Sequence, residues 1–289
     1  MEAKYERKKI GFRWAEAKLD SKWEQEDCFF ERKGPVARFT LNRPEKRNAY
    51  TRDMWQGMHR ACEEIKDDLS CRVLVITGAG DKAFCAGPSI IPKPGESYEP
   101  PDNEYLRRQQ RRIANARHDP IIEMEIPVVC RLNGLAVGAG MDWVLACDLI
   151  VAAEHAYMGQ WYGKRGLITD MGGAWYLPRL CGLNRAKELI FTAKTLTAQE
   201  AKEMGIVNRV VPPEKLDEAV DELCNEIIQC APLAVRMDKD LINKAWNMTH
   251  REFFDGYMVL PLLLQQHLHD GPEGFRAFRE GREPEWEGR

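Results

Sequence analysis

The 289-residue sequence lacks the features that mark membrane-spanning, secreted and metal-binding proteins. No apolar run approaches the roughly 20 residues that a membrane helix needs. The N-terminus, MEAKYERKKI, is charged and has no apolar core of a secretory signal. Its 9 cysteines form no CxxC pair and its 6 histidines are dispersed. We therefore expect buried thiols in a reducing compartment, a cytoplasmic location, no membrane association and no metal site.

The sequence also has little net charge. With 42 basic and 45 acidic residues, the formal net charge is −3. Nucleic-acid-binding domains are usually strongly basic, so this balance gives no reason to expect a nucleic-acid partner. Apolar residues make up 44% of the chain and charged residues 30%, which is typical of a globular protein with a substantial core.

Strand and helix patterns alternate along the chain up to residue 212, and helical patterns alone follow. The apolar segment CRVLVITG is typical of a strand in a sheet that is covered on both faces. The alternation predicts an α/β fold with a helical C-terminal region. We divide the chain into an N-terminal extension (1–27), a core (28–212) and a helical region (213–289).

Two predictions concern segments outside the regular core. The extension is expected to be a partly helical arm with an apolar stripe that ends at Trp23. Residues 91–104 are rich in proline, glycine and acidic residues and are expected to form a surface loop near the mouth of a site. A helix from Tyr105 to Met124 should follow, and its basic cluster of Arg107, Arg108, Arg111 and Arg112 forms either a solvated face or an anion contact.

The most informative stretch runs from Pro127 to Leu180. A buried strand, Val128–Arg131, is expected to enter a glycine turn that opens a helix near Ala139. A second strand, Leu149–Ala153, should follow before a glycine-punctuated loop. We expect the helix and the loop to lie beside the same strand layer.

This stretch places two acids next to each other in the predicted fold. Asp142 falls in the first turn of the helix, and Asp170 precedes Gly172-Gly173 in the loop. Two carboxylates in one apolar pocket repel, so one of them tends to hold a proton near neutral pH, and the pair supplies an acid and a base. The alternatives are a favourable charge at a helix N-terminus for Asp142 and a helix cap for Asp170.

Six segments, in chain order, resemble the enoyl-CoA hydratase/isomerase family, also called the crotonase superfamily. They are LNRPEKRNA (Leu41–Ala49), VLVITGAGDKAFCAG (Val73–Gly87), PVVCRLNGLAVGAG (Pro127–Gly140), ACDLIVAAE (Ala146–Glu154), LTAQEAKEMGIVNRVVP (Leu196–Pro212) and GFRAFREGREPEW (Gly274–Trp286). The resemblance implies a spiral of ββα units with a C-terminal helical trimerisation region. It also implies an acyl-CoA thioester substrate, a homotrimer or hexamer, and no cofactor beyond the coenzyme A of the substrate. The apolar segment Met258–Leu264, which a lone chain would expose, supports the same assembly.

The resemblance further implies an oxyanion hole made of two backbone N–H groups. One falls on Ala139, where Gly138 and Gly140 allow close backbone approach. The other falls on Pro88, which has no N–H. Losing one such donor typically costs about 2.7–4 kcal/mol of transition-state stabilisation. Either Ser89 or a water molecule substitutes, or Ala139 acts alone, or the substrate sits differently.

The acids also depart from the family pattern. The two glutamates of the hydratases fall at Asp142 and Tyr162, and a third acidic position falls at Asp170. Tyr162 either donates a hydrogen bond to a substrate oxygen or forms a pocket wall, and we interpret Trp161 and Trp175 as walls. This combination speaks against the water addition that two glutamates perform.

The resemblance places coenzyme A near the start of the core. Arg43 and Lys46 fall where the family approaches the phosphates, although a solvated turn explains them equally well, and the Ala86 backbone falls where the family holds adenine. We expect an enzyme that hydrates or isomerises an unsaturated, open-chain or cyclic acyl-CoA through an enolate, with Asp170 and Asp142 as acid and base. The alternatives are a hydrolase that cleaves a carbon–carbon bond of a cyclic ketone or its CoA thioester, and a catalytically silent binding or assembly member.

Overall fold

A computed structural model describes residues 20–89, 120–265 and 268–288. The predicted loop 91–104, the arginine cluster of the predicted helix from Tyr105 and most of the N-terminal arm lie outside the described residues. Within the described part, residues 120–123 form a turn.

Eleven strands and ten helices make up the described residues. The strands are β1 (Asp20–Glu24), β2 (Cys28–Lys33), β3 (Val36–Leu41), β4 (Val73–Gly78), β5 (Ala83–Cys85), β6 (Val128–Leu132), β7 (Leu135–Val137), β8 (Leu149–Ala153), β9 (Tyr157–Gly159), β10 (Thr195–Thr197) and β11 (Arg209–Val211). The helices are α1 (Arg52–Ile65), α2 (Ala139–Ala146), α3 (Gly173–Cys181), α4 (Leu183–Thr192), α5 (Ala198–Glu203), α6 (Leu216–Ile228), α7 (Pro232–Ala245), α8 (His250–Glu252), α9 (Val259–Gln265) and α10 (Asp270–Glu280).

From β4 to β9, successive strands alternate between two sheets. The large sheet has the order β1-β2-β3-β4-β6-β8-β11, and the small sheet has the order β10-β9-β7-β5. Strands β4, β6 and β8 enter the large sheet in parallel, and the strand after each of them joins the small sheet. Helix α2 closes the turn that begins with β6 and β7. This arrangement confirms the predicted α/β fold as a spiral of ββα units.

The predictions for the central stretch are confirmed. Strand β6 and strand β8 lie where the apolar runs placed them, and α2 begins at Ala139. The prediction for β4 also holds, because all six of its residues are buried. Val73 and Val75 pack under α6, whereas Leu74 and Ile76 face the main core on the other side of the sheet. Strand β4 is therefore covered on both faces of the sheet.

The start of the described chain differs from the prediction. Residues Asp20–Glu24 form an edge strand that pairs antiparallel with β2, not a helical stripe. Their exposure alternates with the period of a strand, and Trp23 stacks on Phe30 with 5.5 Å between ring centroids. The predicted helix is wrong here because ladder hydrogen bonds and this aromatic contact favour the extended conformation.

The C-terminal region is helical, as predicted, from Leu216 onward. Helix α9 leaves a row of leucines in solvent: Leu260 is 63% exposed, and Leu262 and Leu263 are each 51% exposed. Assembly through this segment remains a prediction. None of the described helices combines the length and the apolar character needed to cross a membrane.

Candidate active site

The predicted N–H donor lies at the turn from β7 into α2. Gly138 makes this turn with φ of 55°, which a glycine adopts readily, and its N–H donates to the Gly159 carbonyl at 2.9 Å. Gly140 lets the helix lie directly on β5, because a Cβ there would sit 2.1 Å from the Cys85 carbonyl oxygen. The Ala139 N–H is the first of the helix, so no acceptor within the helix can take it, and the helix dipole favours a negative charge there.

Asp142 lies in the first turn of the same helix and is fully buried. Its carboxylate accepts hydrogen bonds from Gln160 Nε2 at 2.6 Å, from the Tyr162 hydroxyl at 2.7 Å and from the Gly173 N–H. Burial outweighs these donors and, with the charge of Asp170, raises the pKa of Asp142 to about 6. The group therefore exchanges a proton close to neutral pH, as an acid or base in catalysis requires.

Two of these partners depend on how closely α3 approaches. At Gly173 a Cβ would lie 2.4 Å from Asp142 Oδ1 and 2.4 Å from Gln160 Nε2, so a glycine is needed where α3 begins. Gln160 is 1% exposed, and its Oε1 has no hydrogen-bond partner among the described residues. Sequence analysis did not foresee Gln160, because a glutamine directly after a short strand has no distinctive pattern.

Tyr162 is buried and serves as a donor to Asp142. Burial, followed by the charge of Asp142, raises the pKa of the Tyr162 phenol, which keeps it protonated. Of the two roles predicted for this side chain, the geometry favours hydrogen bonding, although the bond seen goes to the carboxylate of Asp142. The tyrosine thus holds this acid in place.

The second predicted donor position lies beside the first. Gly87 turns with φ of 87°, and a Cβ there would lie 3.2 Å from the Val137 carbonyl oxygen at the end of β7. The Tyr50 N–H donates to the Gly87 carbonyl, and the Ser89 N–H donates to the Tyr50 carbonyl, each at 2.9 Å. Pro88 is held between these two bonds and contributes no N–H. Because the Ser89 N–H already donates to Tyr50, it is poorly suited to replace the missing N–H of Pro88. Ala139 remains the predicted donor.

Asp170 belongs to an apolar cavity of about 270 Å³. The cavity is lined by Trp55, Ile122, Asp170, Met171, Gly172, Trp175 and Tyr176. Gly172 is the N-cap of α3, and the Gly173 N–H at the start of this helix donates to the Asp142 carboxylate. The alternative role of Asp170 as a helix cap stays a prediction. Asp170 is close enough to Asp142 for its charge to raise the pKa of that acid. The structure therefore brings the two predicted acids together.

Two residues predicted to contact coenzyme A, Arg43 and Lys46, lie in the turn before α1, and the third, Ala86, is hydrogen-bonded to that turn. Lys46 is exposed in a short 3₁₀ turn, and the Ala86 N–H donates to the Arg47 carbonyl at 3.0 Å. The guanidinium of Arg43 lies 3.4 Å from the Asp27 carboxylate and is only partly exposed. The exposed ammonium of Lys46 is thus better placed than Arg43 to meet a phosphate from solvent.

The aromatic walls differ from those predicted. Trp175 lines the cavity, as expected, but Trp161 is not among the described lining residues. Its indole instead donates a hydrogen bond to Thr195 Oγ1 at 3.1 Å. Trp55 and Tyr176 line the cavity and were not predicted. They reach it from α1 and α3, and sequence spacing gives no signal for two side chains that far apart.

Comparisons with known proteins agree with this architecture. Residues 31–289 match the family described as enoyl-CoA hydratase/isomerase. A carnitinyl-CoA dehydratase of Salmonella arizonae is 34% identical over 265 residues, which cover 89% of this chain and 97% of the relative. A short-chain-enoyl-CoA hydratase of Clostridium acetobutylicum is 35% identical over 221 residues, which cover 76% and 82%. The crystal structure of an enoyl-CoA hydratase from Bacillus anthracis superposes with a TM-score of 0.80 at 31% identity, covering 94% of this chain and 100% of that one. The chain therefore belongs to the enoyl-CoA hydratase/isomerase family.

Proposed function

We propose that this protein reversibly adds water to the double bond of an α,β-unsaturated acyl-CoA thioester. One observation carries the proposal: a buried carboxylate, Asp142, has a pKa of about 6 that is raised in part by the charge of a second carboxylate, Asp170, and Asp170 lines an apolar cavity. Asp142 lies in the first turn of the helix that presents the Ala139 N–H, and Asp170 lies in the loop before α3. The relatives support the reaction class, since two of them are named as a carnitinyl-CoA dehydratase and a short-chain-enoyl-CoA hydratase.

In the proposed complex, the thioester oxygen accepts a hydrogen bond from the Ala139 N–H. Negative charge develops on this oxygen as the enolate forms, and the N-terminal end of α2 stabilises it. Pro88 adds no donor, so this enzyme relies on Ala139, on water or on the Ser89 hydroxyl for the remaining stabilisation.

The two acids divide the proton transfers. Asp170 accepts a proton from water as the water oxygen bonds to the β-carbon, and the π electrons of the double bond move to the enolate. Asp142 then delivers its proton to the α-carbon, and the two carboxylates are reset by proton exchange. Burial gives Asp142 a pKa suited to holding that proton. Tyr162 and Gln160 hold the carboxylate in position, and elimination of water is the reverse sequence.

Double-bond isomerisation is the second candidate. The same pair of carboxylates favours it, because an isomerase needs one proton acceptor and one donor and consumes no water. The ring-opening hydrolase and the silent binding member are weaker candidates, since neither explains why the pKa of a buried acid is raised in part by the charge of a second acid.

Isotope incorporation separates these functions. Crotonyl-CoA and larger enoyl-CoA thioesters are incubated with the protein in H₂¹⁸O and, separately, in D₂O, and the products are analysed by mass spectrometry. Hydration adds one ¹⁸O and one solvent hydrogen, whereas isomerisation adds deuterium without ¹⁸O. Carbon–carbon hydrolysis opens the ring of a cyclic keto substrate with ¹⁸O in a new carboxylate. Unchanged thioesters across the panel would refute the proposal and favour the silent alternative.

We further propose that the chain works as a homotrimer or hexamer in the cytoplasm. The exposed leucines of α9 support the assembly, because soluble monomers rarely expose such a patch. Light scattering at micromolar concentration is expected to give a mass of three or six chains, and a monomer would contradict the assembly.

A further inference from the structure

The cavity beside Asp170 has aromatic walls. The Trp55 ring packs against Trp143 with 5.9 Å between centroids. The Trp175 ring meets Tyr176 edge-on at 5.1 Å, and the Arg179 guanidinium covers one of its faces at 3.9 Å. Each of the two tryptophan rings therefore packs against at least one neighbouring side chain.

We infer that the acyl group of the substrate contains a six-membered carbon ring that occupies this cavity, an inference that rests in part on the proposed function. The cavity volume is about 270 Å³. An apolar protein cavity of about 150 Å³ already binds benzene, so this one accepts a six-membered ring with room for its attachment to the thioester. A six-membered ring presents a broad apolar face to an aromatic wall, and a rigid ligand loses less conformational freedom than a chain of equal size.

The position of Asp170 specifies where the ring reacts. This carboxylate lines the same cavity as the aromatic side chains, so the carbon that receives the water activated by Asp170 also lies within the cavity. A reacting double bond outside the ring and far from it would leave Asp170 without a substrate atom in reach. The substrate class that fits is a cyclohexene-type carbonyl thioester, with the double bond in the ring or directly attached to it.

Aromatic walls and a carboxylate also suit a quaternary ammonium group, which is the main competing occupant. The Arg179 guanidinium argues against this cation. It already makes a cation–π contact with one face of the Trp175 ring and places a positive charge on that side of the ring. A second cation on the opposite face would be repelled, whereas a neutral ring meets no such penalty.

Binding of unreactive saturated thioesters tests the inference independently of turnover. Cyclohexanecarbonyl-CoA, heptanoyl-CoA and 4-trimethylammoniobutyryl-CoA have equal numbers of acyl carbons, and their Kd values are measured by calorimetry on the full chain. We expect the cyclic thioester to bind at least about fivefold more tightly than either competitor. Equal or tighter binding of the linear thioester overturns the inference, and tighter binding of the cationic one assigns the cavity to a cation instead.

Variants of Trp175 identify the wall responsible. Trp175→Leu removes the aromatic face but keeps apolar bulk, and it should weaken cyclic binding by about twofold to tenfold. Binding of heptanoyl-CoA should change less than twofold, and Trp175→Phe should restore most of the cyclic preference. The matched control is Phe191→Leu on α4, where the phenylalanine is 78% exposed. This substitution should change neither Kd. Equal effects of Trp175→Leu on both thioesters, or no effect, would overturn the inference.

Turnover separates this inference from the proposed function. If cyclohex-1-enecarbonyl-CoA is hydrated with a higher kcat/KM than crotonyl-CoA, both stand. If crotonyl-CoA is the better substrate, hydration stands and the ring inference fails. If the cyclic Kd preference holds but no thioester gains ¹⁸O, the proposed function fails and the ring-binding cavity remains.

Discussion

The candidate site has a closed half and an open half that differ in burial. In the closed half, Asp142 is fully buried, Gln160 is 1% exposed and Tyr162 is 7% exposed. In the open half, Asp170 is exposed and Trp175 is 46% exposed. The predicted acid and N–H donor thus lie in the closed half, whereas the predicted base and the aromatic walls lie in the open half.

The same difference sets the electrostatics of the two acids. Removal from water raises the pKa of Asp142 even though three donors reach its carboxylate. Asp170 contributes its charge to that rise from the solvent-accessible side. A proton is thus easier to retain in the closed half, while the open half offers a carboxylate to incoming water.

The largest effect on turnover is expected when the two acids, Asp170 and Asp142, are replaced one at a time. Asp170→Asn keeps shape but not the proton acceptor, so kcat should fall by about 10²–10⁴-fold with little change in thioester affinity. Asp142→Asn should cost less if this residue only returns the proton. Single-turnover rates measure both, with melting curves as a check on folding. A dead Asp142→Asn beside a nearly unimpaired Asp170→Asn would reverse the assigned roles, and full activity in both would make the carboxylates structural.

The closed half should also be intolerant of a single added methyl group. Gly140→Ala places a Cβ against the Cys85 carbonyl, where the backbone of β5 has to move. We expect a loss of about 3 kcal/mol in the free energy of unfolding, the upper end for overpacking. Denaturant titration measures it, and Gly256→Ala is the matched control because no atom lies within 4 Å of its added Cβ. If the two variants are equally stable, the backbone of the closed half adjusts to an added methyl group more easily than its close contacts indicate.

The sequence predicted the closed half better than the open half for a physical reason. The strand limits, the start of α2 and the position of Asp142 follow from local periodicity and a glycine turn. The walls depend on α1 and α3 coming together, as Trp55 and Tyr176 do, which is a tertiary effect without a local signal. Trp161 shows the same limit, since its environment is set by a cross-strand neighbour, Thr195.

The raised pKa of Asp142 predicts a stability that depends on pH. Its pKa rises from 3.8 to about 6 on folding, so between these values the folded state holds more protons and stability falls as pH rises. The penalty is absent below the lower value, complete above the higher one and at most about 3 kcal/mol. Asp142→Asn removes it, and the Gln160 amide can rotate so that its unpartnered Oε1 accepts from the new amide.

Asp142→Asn should therefore be more stable than the parent by about 1–2 kcal/mol at pH 7.5, after allowance for imperfect repacking, and lose this advantage near pH 4. Unfolding titrations of both proteins at the two pH values measure the difference. A constant difference across this range would mean that Asp142 titrates with an ordinary pKa, and the contrast between the two halves would lose its electrostatic basis.

The smallest effect is expected at Pro88, on the boundary between the halves. Two backbone hydrogen bonds hold the segment on either side of the proline: Tyr50 N–H donates to Gly87, and Ser89 N–H donates to Tyr50. Pro88→Gly should therefore keep the backbone conformation of this segment and add one N–H. Turnover should stay within several-fold of the parent or rise. Pro88→Ala adds the same N–H without the flexibility of glycine. If both variants have the same kcat, the effect comes from the added donor and not from backbone flexibility. Melting temperatures are measured in parallel. If turnover of a folded variant falls by more than about a hundredfold, the proline ring itself shapes the pocket, because a residue without that role would not cause so large a loss.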